Sequence, residues 1–351
     1  MRRLLAVLAM VLLCPLCAMA ELPLVYPAET VLSVVPLTQA QQALVEHLYA
    51  PVLTGQTRIA LPEDTLYDDV APAMKALMMD YPELFHLHRN YTISYYQNEP
   101  HIAVAVNPQY RLDAGTAERT RDAMYAAALE MIRTDGTAEG LHDALLARVH
   151  YGGDTEMRHT AAAALLTGEA TCEGYAQALS LLYRMAGVPC GMITGVAVNA
   201  VTGQIEQHAW SMAWQDGYTL IDATWNDQDG SGYNTHWYYG LSGAQMAADH
   251  APDADLSVPV SGDQAGWHRR RGLAASSADQ VRSAVQRLVT GGETVNLRIT
   301  DAALYAQIAG DLGAFLDEYN RLCPEGCQFY GSYTYLTCDA QQCIILDRSG
   351  E

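Results

Sequence analysis

The sequence predicts an α+β protein, and three observations carry that prediction. Residues 172–186 place Tyr175, Leu179, Leu182 and Tyr183 at helical spacing, and Gly187 and Pro189 end the run. Residues 207–214 and 218–222 read as a strand and its partner joined by Gln215-Asp216-Gly217, an antiparallel hairpin. Segments of mixed helical and strand character lie on both sides of this centre. The expected architecture is a helix that begins at a cysteine, packed on an antiparallel sheet bearing a histidine and an aspartate.

The other elements follow in order. Thr38 is a helix-start residue for a helix to about residue 50, with Leu44, Val45 and Leu48 on one face. A second helix spans about 64–79, ended by Tyr81-Pro82. Strands at 91–96 and 102–106 flank Gln97-Asn98-Glu99-Pro100, a hairpin signal. Helices are expected at 114–133 and 138–149, broken at Thr134-Asp135-Gly136-Thr137, and a short one at 159–166. Beyond the central motif, residues 235–250 are mixed. Residues 253–263, with Pro259, Gly262 and no apolar period, mark a boundary. The tail reads as a helix at 277–289, a strand at 295–299, a long helix at 302–322, and paired strands at 328–336 and 343–346. The expected division is a signal peptide at 1–20, an N-terminal α/β region at 21–125, a central core at 126–252 and a C-terminal α/β domain at 253–351.

Bulk properties narrow the setting. The chain has 351 residues, half of them apolar, which is more than one ordinary core. Arg2 and Arg3, an apolar run over 4–17 and Ala18-Met19-Ala20 form a signal-peptide pattern, so a secreted or cell-envelope location is expected. The run is too short for stable membrane insertion. A formal charge of −20 argues against nucleic acid or an anionic membrane surface as partner. Cys323, Cys327, Cys338 and Cys343 crowd one short stretch, as disulfide-bearing segments of exported chains do. Of their three possible pairings, Cys338 with Cys343 across a hairpin loop and Cys323 with Cys327 are expected. There is no H-E-x-x-H and no paired C-x-x-C, so neither a metal nor a cofactor is expected.

Three residues carry chemistry. Cys172 follows Thr171, a helix N-cap residue type, so it falls in a first turn where the macrodipole favours thiolate and free N–H groups can receive an oxyanion. Gly174 permits close approach there. Whether His208 and Asp222 can cooperate depends on hairpin register. A two-residue turn pairs 215 with 218 and separates the two side chains onto opposite faces. A three-residue loop with Gly217 left-handed pairs 214 with 218 and brings Asp222 to the face of His208. Taken singly, each residue has a plainer reading: a buried or disulfide-bonded cysteine with Cys190 as rival partner, a satisfied core histidine, a strand-end turn acid. Together they supply a thiol nucleophile, a base and its orienter.

Gly168-x-x-x-Cys172-x-Gly174-Tyr175, then His208-Ala209-Trp210, then Ile221-Asp222-x-Thr224-Trp225 resembles the transglutaminase-like superfamily, over about residues 138–250. The resemblance implies a papain-like fold in which Cys172, His208 and Asp222 form a catalytic triad acting through a thioester. It also implies an oxyanion hole with Tyr151 as its candidate side-chain donor, and a substrate cleft for which Gly174, Trp210 and Trp225 are candidates. The implied substrate is a protein or peptide, with the cell envelope as one source. Water or an amine then takes the acyl group. Hydrolysis is favoured, because no EF-hand-like run accompanies the motif and Asp227 and Asp229 read as a solvated turn. Protein crosslinking and a non-catalytic envelope scaffold stay open.

Overall fold

The computed structural model describes residues 24–97, 99–199, 202–228, 233, 235–262, 266–292 and 294–348. The expected signal peptide and Asp229 lie outside these. The chain begins with α1 (Gln39–Leu53), β1 (Ile59–Ala60), α2 (Tyr67–Asp80), β2 (Leu87–Tyr95) and β3 (Ala103–Tyr110). Thr38 caps α1 through a capping box with Gln41, and Leu44, Val45 and Leu48 are buried as its spacing predicts. The three strands form one antiparallel sheet in the order β1-β3-β2.

Next come α3 (Ala114–Thr134), α4 (Ala138–Arg148), β4 (His150–Tyr151), α5 (Ala161–Thr167), β5 (Glu169–Ala170) and α6 (Cys172–Met185). The boundary expected at 125/126 falls inside α3, which is one continuous helix capped by Asp113. No break signal stands there: around the expected boundary residues 123–131 are almost all good helix formers. Then follow β6 (Cys190–Val198), β7 (Ile205–Trp214), β8 (Tyr218–Ile221), α7 (Ala223–Asn226), β9 (Tyr239–Leu241), α8 (Gly243–Met246) and β10 (His250–Pro252). The five strands form one antiparallel sheet in the order β10-β6-β7-β8-β9.

Helix α6 is buried from Gly174 to Arg184 because it is covered on both sides. Tyr175, Leu179 and Leu182 share a core with α3 to α5 and with Cys190, Ala213 and Ile221 of the sheet. Met192, Trp210, Met212 and Leu220 join instead the core of α1 and α2. The buried Arg184 ties the end of α6 to Cys190 O at 2.7 Å and to Asp80 O, which locks the helix to both neighbours.

The C-terminal part holds α9 (Trp267–Arg270), β11 (Ala274–Ala275), α10 (Ala278–Gly291), β12 (Val295–Ile299), α11 (Ala302–Gly310), α12 (Leu312–Leu322), β13 (Tyr333–Cys338) and β14 (Cys343–Arg348). The single helix expected over 302–322 is two. Gly310 ends the first, and Asp311, extended at ψ 76°, caps the second by accepting from Ala314 N. The expected disulfides are free thiols here. Cys338 and Cys343 do face each other across the β13–β14 register. Their sulfurs turn elsewhere, Cys338 to Tyr238 Oη at 3.5 Å and Cys343 to Gln341 O at 3.3 Å. Likewise Cys323 donates to Asn320 O, and Cys327 accepts from Gln286 Nε2.

Candidate active site

Cys172 opens α6 in its first turn, half-buried and unbonded. Its rival partner Cys190 is fully buried on β6 beside Ser180, and burial pushes that thiol up to about 11. A thiol held in its neutral form is inert, so Cys190 is a core residue. Thr171 occupies the N-cap position, but its hydroxyl meets His159 Nδ1 at 2.8 Å and caps nothing. The first-turn amides of α6 therefore have no side-chain cap, which is the arrangement an anion receptor at a helix start needs.

The hairpin adopts the register that cooperation requires. Trp214 pairs with Tyr218 and Ser211 with Ile221, leaving a three-residue loop. The left-handed residue of that loop is Asp216, at φ 59°, whereas the expected Gly217 sits at φ 143°. Aspartate tolerates the left-handed region, so the sequence has two residues able to make this turn. β8 ends at Ile221, and Asp222 becomes the N-cap of α7, where Oδ1 accepts from Trp225 N at 3.1 Å. Oδ2 is left to accept from His208 Nε2 at 2.7 Å. With Nε2 so committed, Nδ1 is the ring nitrogen left for Cys172, which lines the same cleft and whose sulfur acts on the imidazole.

Charge follows from this geometry. Burial acts to lower the pKa of His208, but the Asp222 carboxylate and the Cys172 sulfur outweigh it and hold the imidazole up at about 10. Burial acts to raise that of Asp222, and the two imidazoles on it, His208 and His250, overcome this and hold the carboxyl well below the usual carboxylate range. The set is a cysteine–imidazole–carboxylate arrangement whose carboxylate is fully buried.

A cleft of about 620 Å³ opens over Cys172 and His208. Its far wall is built by the N-terminal part: Lys75, Met78 and Met79 of α2, and Arg89 and Tyr91 of β2. Arg89 pairs with Glu173, the neighbour of Cys172, and Lys75 with Asp255 at 2.7 Å. Tyr151 stands exposed on the rim, near enough to Cys172 to feel its charge, so the residue expected as oxyanion donor is at the site.

Four other expectations are corrected. Gly174 is not a cleft residue. A Cβ there would come within 2.6 Å of Arg158 O and 2.8 Å of Ala170 Cβ, so the glycine serves close packing of the chain behind the nucleophile. Trp210 is fully buried behind His208, with ring centroids 6.2 Å apart, and does not line the cleft. Trp225 is half-buried with its ring centroid 5.1 Å from that of His208, and flanks the imidazole instead of the substrate space. Asp227, expected as a solvated turn, accepts from the buried Tyr175 hydroxyl.

Sequence reasoning missed Asp249 and His250. His250 Nε2 donates to Asp222 Oδ2 at 3.1 Å, and its Nδ1 to Asp249 Oδ1 at 2.6 Å. Only the pairing of the edge strand β10 with β6 delivers them, and no local pattern announces that contact. Two triplets among the described residues bring ligand-type atoms within 4.8 Å: His142, Asp143 and His236, and His208, Asp222 and His250. In both, each imidazole donates to the shared carboxylate, so the geometry is that of a hydrogen-bond network.

Residues 121–225 match the model of the transglutaminase-like superfamily, a stretch that contains Cys172, His208 and Asp222 and closes on Trp225. No curated protein sequence is a significant match to this chain. Among solved structures, the periplasmic domain of TgpA from Pseudomonas aeruginosa bound to ethylmercury is similar at 23% identity and a TM-score of 0.25. That likeness covers 36% of this chain and 57% of that one. A TGase crystal structure is similar at 10% identity and a TM-score of 0.28, over 50% of this chain and 51% of that one. This chain therefore spans little more than half the length of either structure. Residues 121–225 are thus similar to the transglutaminase-like superfamily, within a mixed helix-and-sheet protein.

Proposed function

We propose that the chain is an exported cysteine-dependent acyl-transfer enzyme that acts on peptide or isopeptide amide bonds, with water as its principal acceptor. The observation that carries this reading is that Cys172 and His208, the latter held by the buried Asp222, line one cleft of about 620 Å³. Cys172 Sγ, whose proton His208 has taken, attacks the carbonyl carbon, and the oxyanion is received by the N–H groups at the start of α6, with the Tyr151 hydroxyl as second donor. The His208 proton goes to the leaving amine as the C–N bond breaks. His208, now neutral, takes a proton from water as its oxygen bonds to the thioester carbon and the C–S bond breaks. Asp222 keeps the imidazole oriented throughout. The N-terminal pattern at residues 1–20 supports export.

Incubation of wild type and Cys172→Ala with a peptide library, with and without a primary amine, tests the reading. Mass spectrometry is expected to show cleavage or deamidation by wild type alone. Amine incorporation as the main product would move the assignment to crosslinking. Equal behaviour of the two proteins would end it.

A further inference from the structure

Asp222 holds more than His208. Its carboxylate is fully buried, and Oδ2 accepts from both His208 Nε2 at 2.7 Å and His250 Nε2 at 3.1 Å. His250 is itself fully buried, and its other ring nitrogen, Nδ1, lies 2.6 Å from Asp249 Oδ1. A neutral imidazole has one N–H and one bare nitrogen, and a carboxylate only accepts. Two ring nitrogens each facing a carboxylate oxygen therefore both carry protons, which makes His250 an imidazolium.

The surroundings suit a cation. The rings of Trp225, Trp210 and Tyr238 stand 4.5, 5.0 and 5.6 Å from it by centroid, within the range over which an aromatic ring attracts a positive charge. Burial alone would strip the proton, and Asp222 and Asp249 reverse that, raising the group above an ordinary histidine. Every neighbouring element contributes to the balance. β7 supplies His208 and Trp210, α7 and its cap supply Asp222 and Trp225, and Asp249 precedes the ring. Tyr238 donates to the other Asp249 oxygen at 2.6 Å. The β6 residue paired with His250 is Ala197, which carries no charge.

We propose that His250 is a positioning residue: a buried imidazolium that shares the Asp222 carboxylate with His208 and so keeps His208 able both to hold and to release its proton. The role rests on the acyl-transfer reading. His250 and His208 have ring centroids 5.4 Å apart, and two like charges at that distance oppose each other. Without the charge on His250, Asp222 would act on His208 alone and hold its proton too firmly for it to serve as base in thioester hydrolysis. His208 and Trp210 are in the stretch that matches the family model, whereas Asp249 and His250 lie beyond its end.

Two measurements on the full chain test this. In wild type, nitrogen-detected NMR of the histidine rings is expected to show both nitrogens of His250 protonated at pH 7.5; a single neutral tautomer overturns the proposal without any variant. In His250→Gln, which keeps an N–H donor toward Asp222 but no charge, p-nitrophenyl acetate separates the two half-reactions. Acylation releases p-nitrophenolate, which needs no proton, so the burst is expected to persist. The steady state needs neutral His208 and is expected to slow by roughly tenfold, the effect of about one pH unit on that group. Parallel loss of both phases points to a merely structural histidine and overturns the proposal, as does an unchanged steady state. Absence of any burst in wild type overturns the acyl-transfer reading instead, and the NMR result still decides the charge of His250.

Discussion

Asp222→Asn is expected to lower turnover by about 10²–10⁴-fold while leaving the chain folded. The size of the effect follows from a count of hydrogen bonds. Asp222 accepts from three donors: His208 and His250 at Oδ2 and Trp225 N at Oδ1. An asparagine offers one oxygen and one NH₂ group. If its oxygen serves the two imidazoles, its NH₂ meets the Trp225 N–H donor to donor. If its oxygen serves Trp225, the NH₂ faces both imidazoles and drives His208 into the wrong tautomer. Either way a buried donor loses its acceptor, at a cost of about 1–3 kcal/mol.

The pH dependence of that loss has a definite sign. The folded state holds the His208 proton up to about 10, against 6.5 for an ordinary histidine. Stabilisation by the pair is therefore fully present below pH 6.5 and lost as pH rises toward 10. Asp222 is depressed below its ordinary 3.8, so its contribution is present above that value and lost as pH falls further. The difference in Tm between wild type and Asp222→Asn is thus expected to be widest between about pH 4 and 6.5 and to narrow toward pH 10. A difference that does not change between pH 6 and 10 contradicts the ion-pair assignment.

The second large effect is on stability. Gly195→Val is expected to cost about 3 kcal/mol or more, or to prevent folding. Gly195 of β6 pairs with Pro252 on one side and His208 on the other. A Cβ at this position would lie 2.2 Å from Ala251 O, 2.8 Å from Pro252 Cα and 2.9 Å from Trp210 Cη2. Two of those atoms are backbone and the third is a buried ring, so nothing can give way cheaply. The strand that must move is β10, which carries His250. Gly310→Ala, where a Cβ meets nothing within 4 Å, is the control and is expected within about 0.5 kcal/mol of wild type. Urea unfolding measures both. A Gly195→Val midpoint equal to that of the control would show that β10 is not held as described.

These two sites also mark where the sequence stops being legible. Helix α6 and the β7–β8 register could be read because both are local: a helix start follows from caps and spacing, and a hairpin register from loop length. That was enough to bring Cys172, His208 and Asp222 together. In the loop both Asp216 and Gly217 take a positive φ, so the turn rests on two residues where the spacing points to Gly217 alone. Thr171 was read as a cap because its competing partner, His159, comes from another segment. Gly174, Trp210 and Trp225 were given to the cleft because the sequence shows side-chain size but not direction. Burial against Arg158 and around His208 is a tertiary fact. The strand β10 reaches β6 across the sheet edge, some 50 residues away in sequence, so His250 stood as one histidine among several.

The central claim is that Cys172 is a nucleophile made reactive by His208. Its most direct measurement is the rate of Cys172 alkylation by iodoacetamide near pH 7, followed by mass spectrometry of the peptide that contains it, in wild type and in His208→Ala. Wild-type Cys172 is expected to react ahead of Cys190, Cys338 and Cys343, which are buried, and to lose that reactivity in His208→Ala. Slow alkylation of Cys172 in wild type, or an equal rate in the variant, contradicts the account.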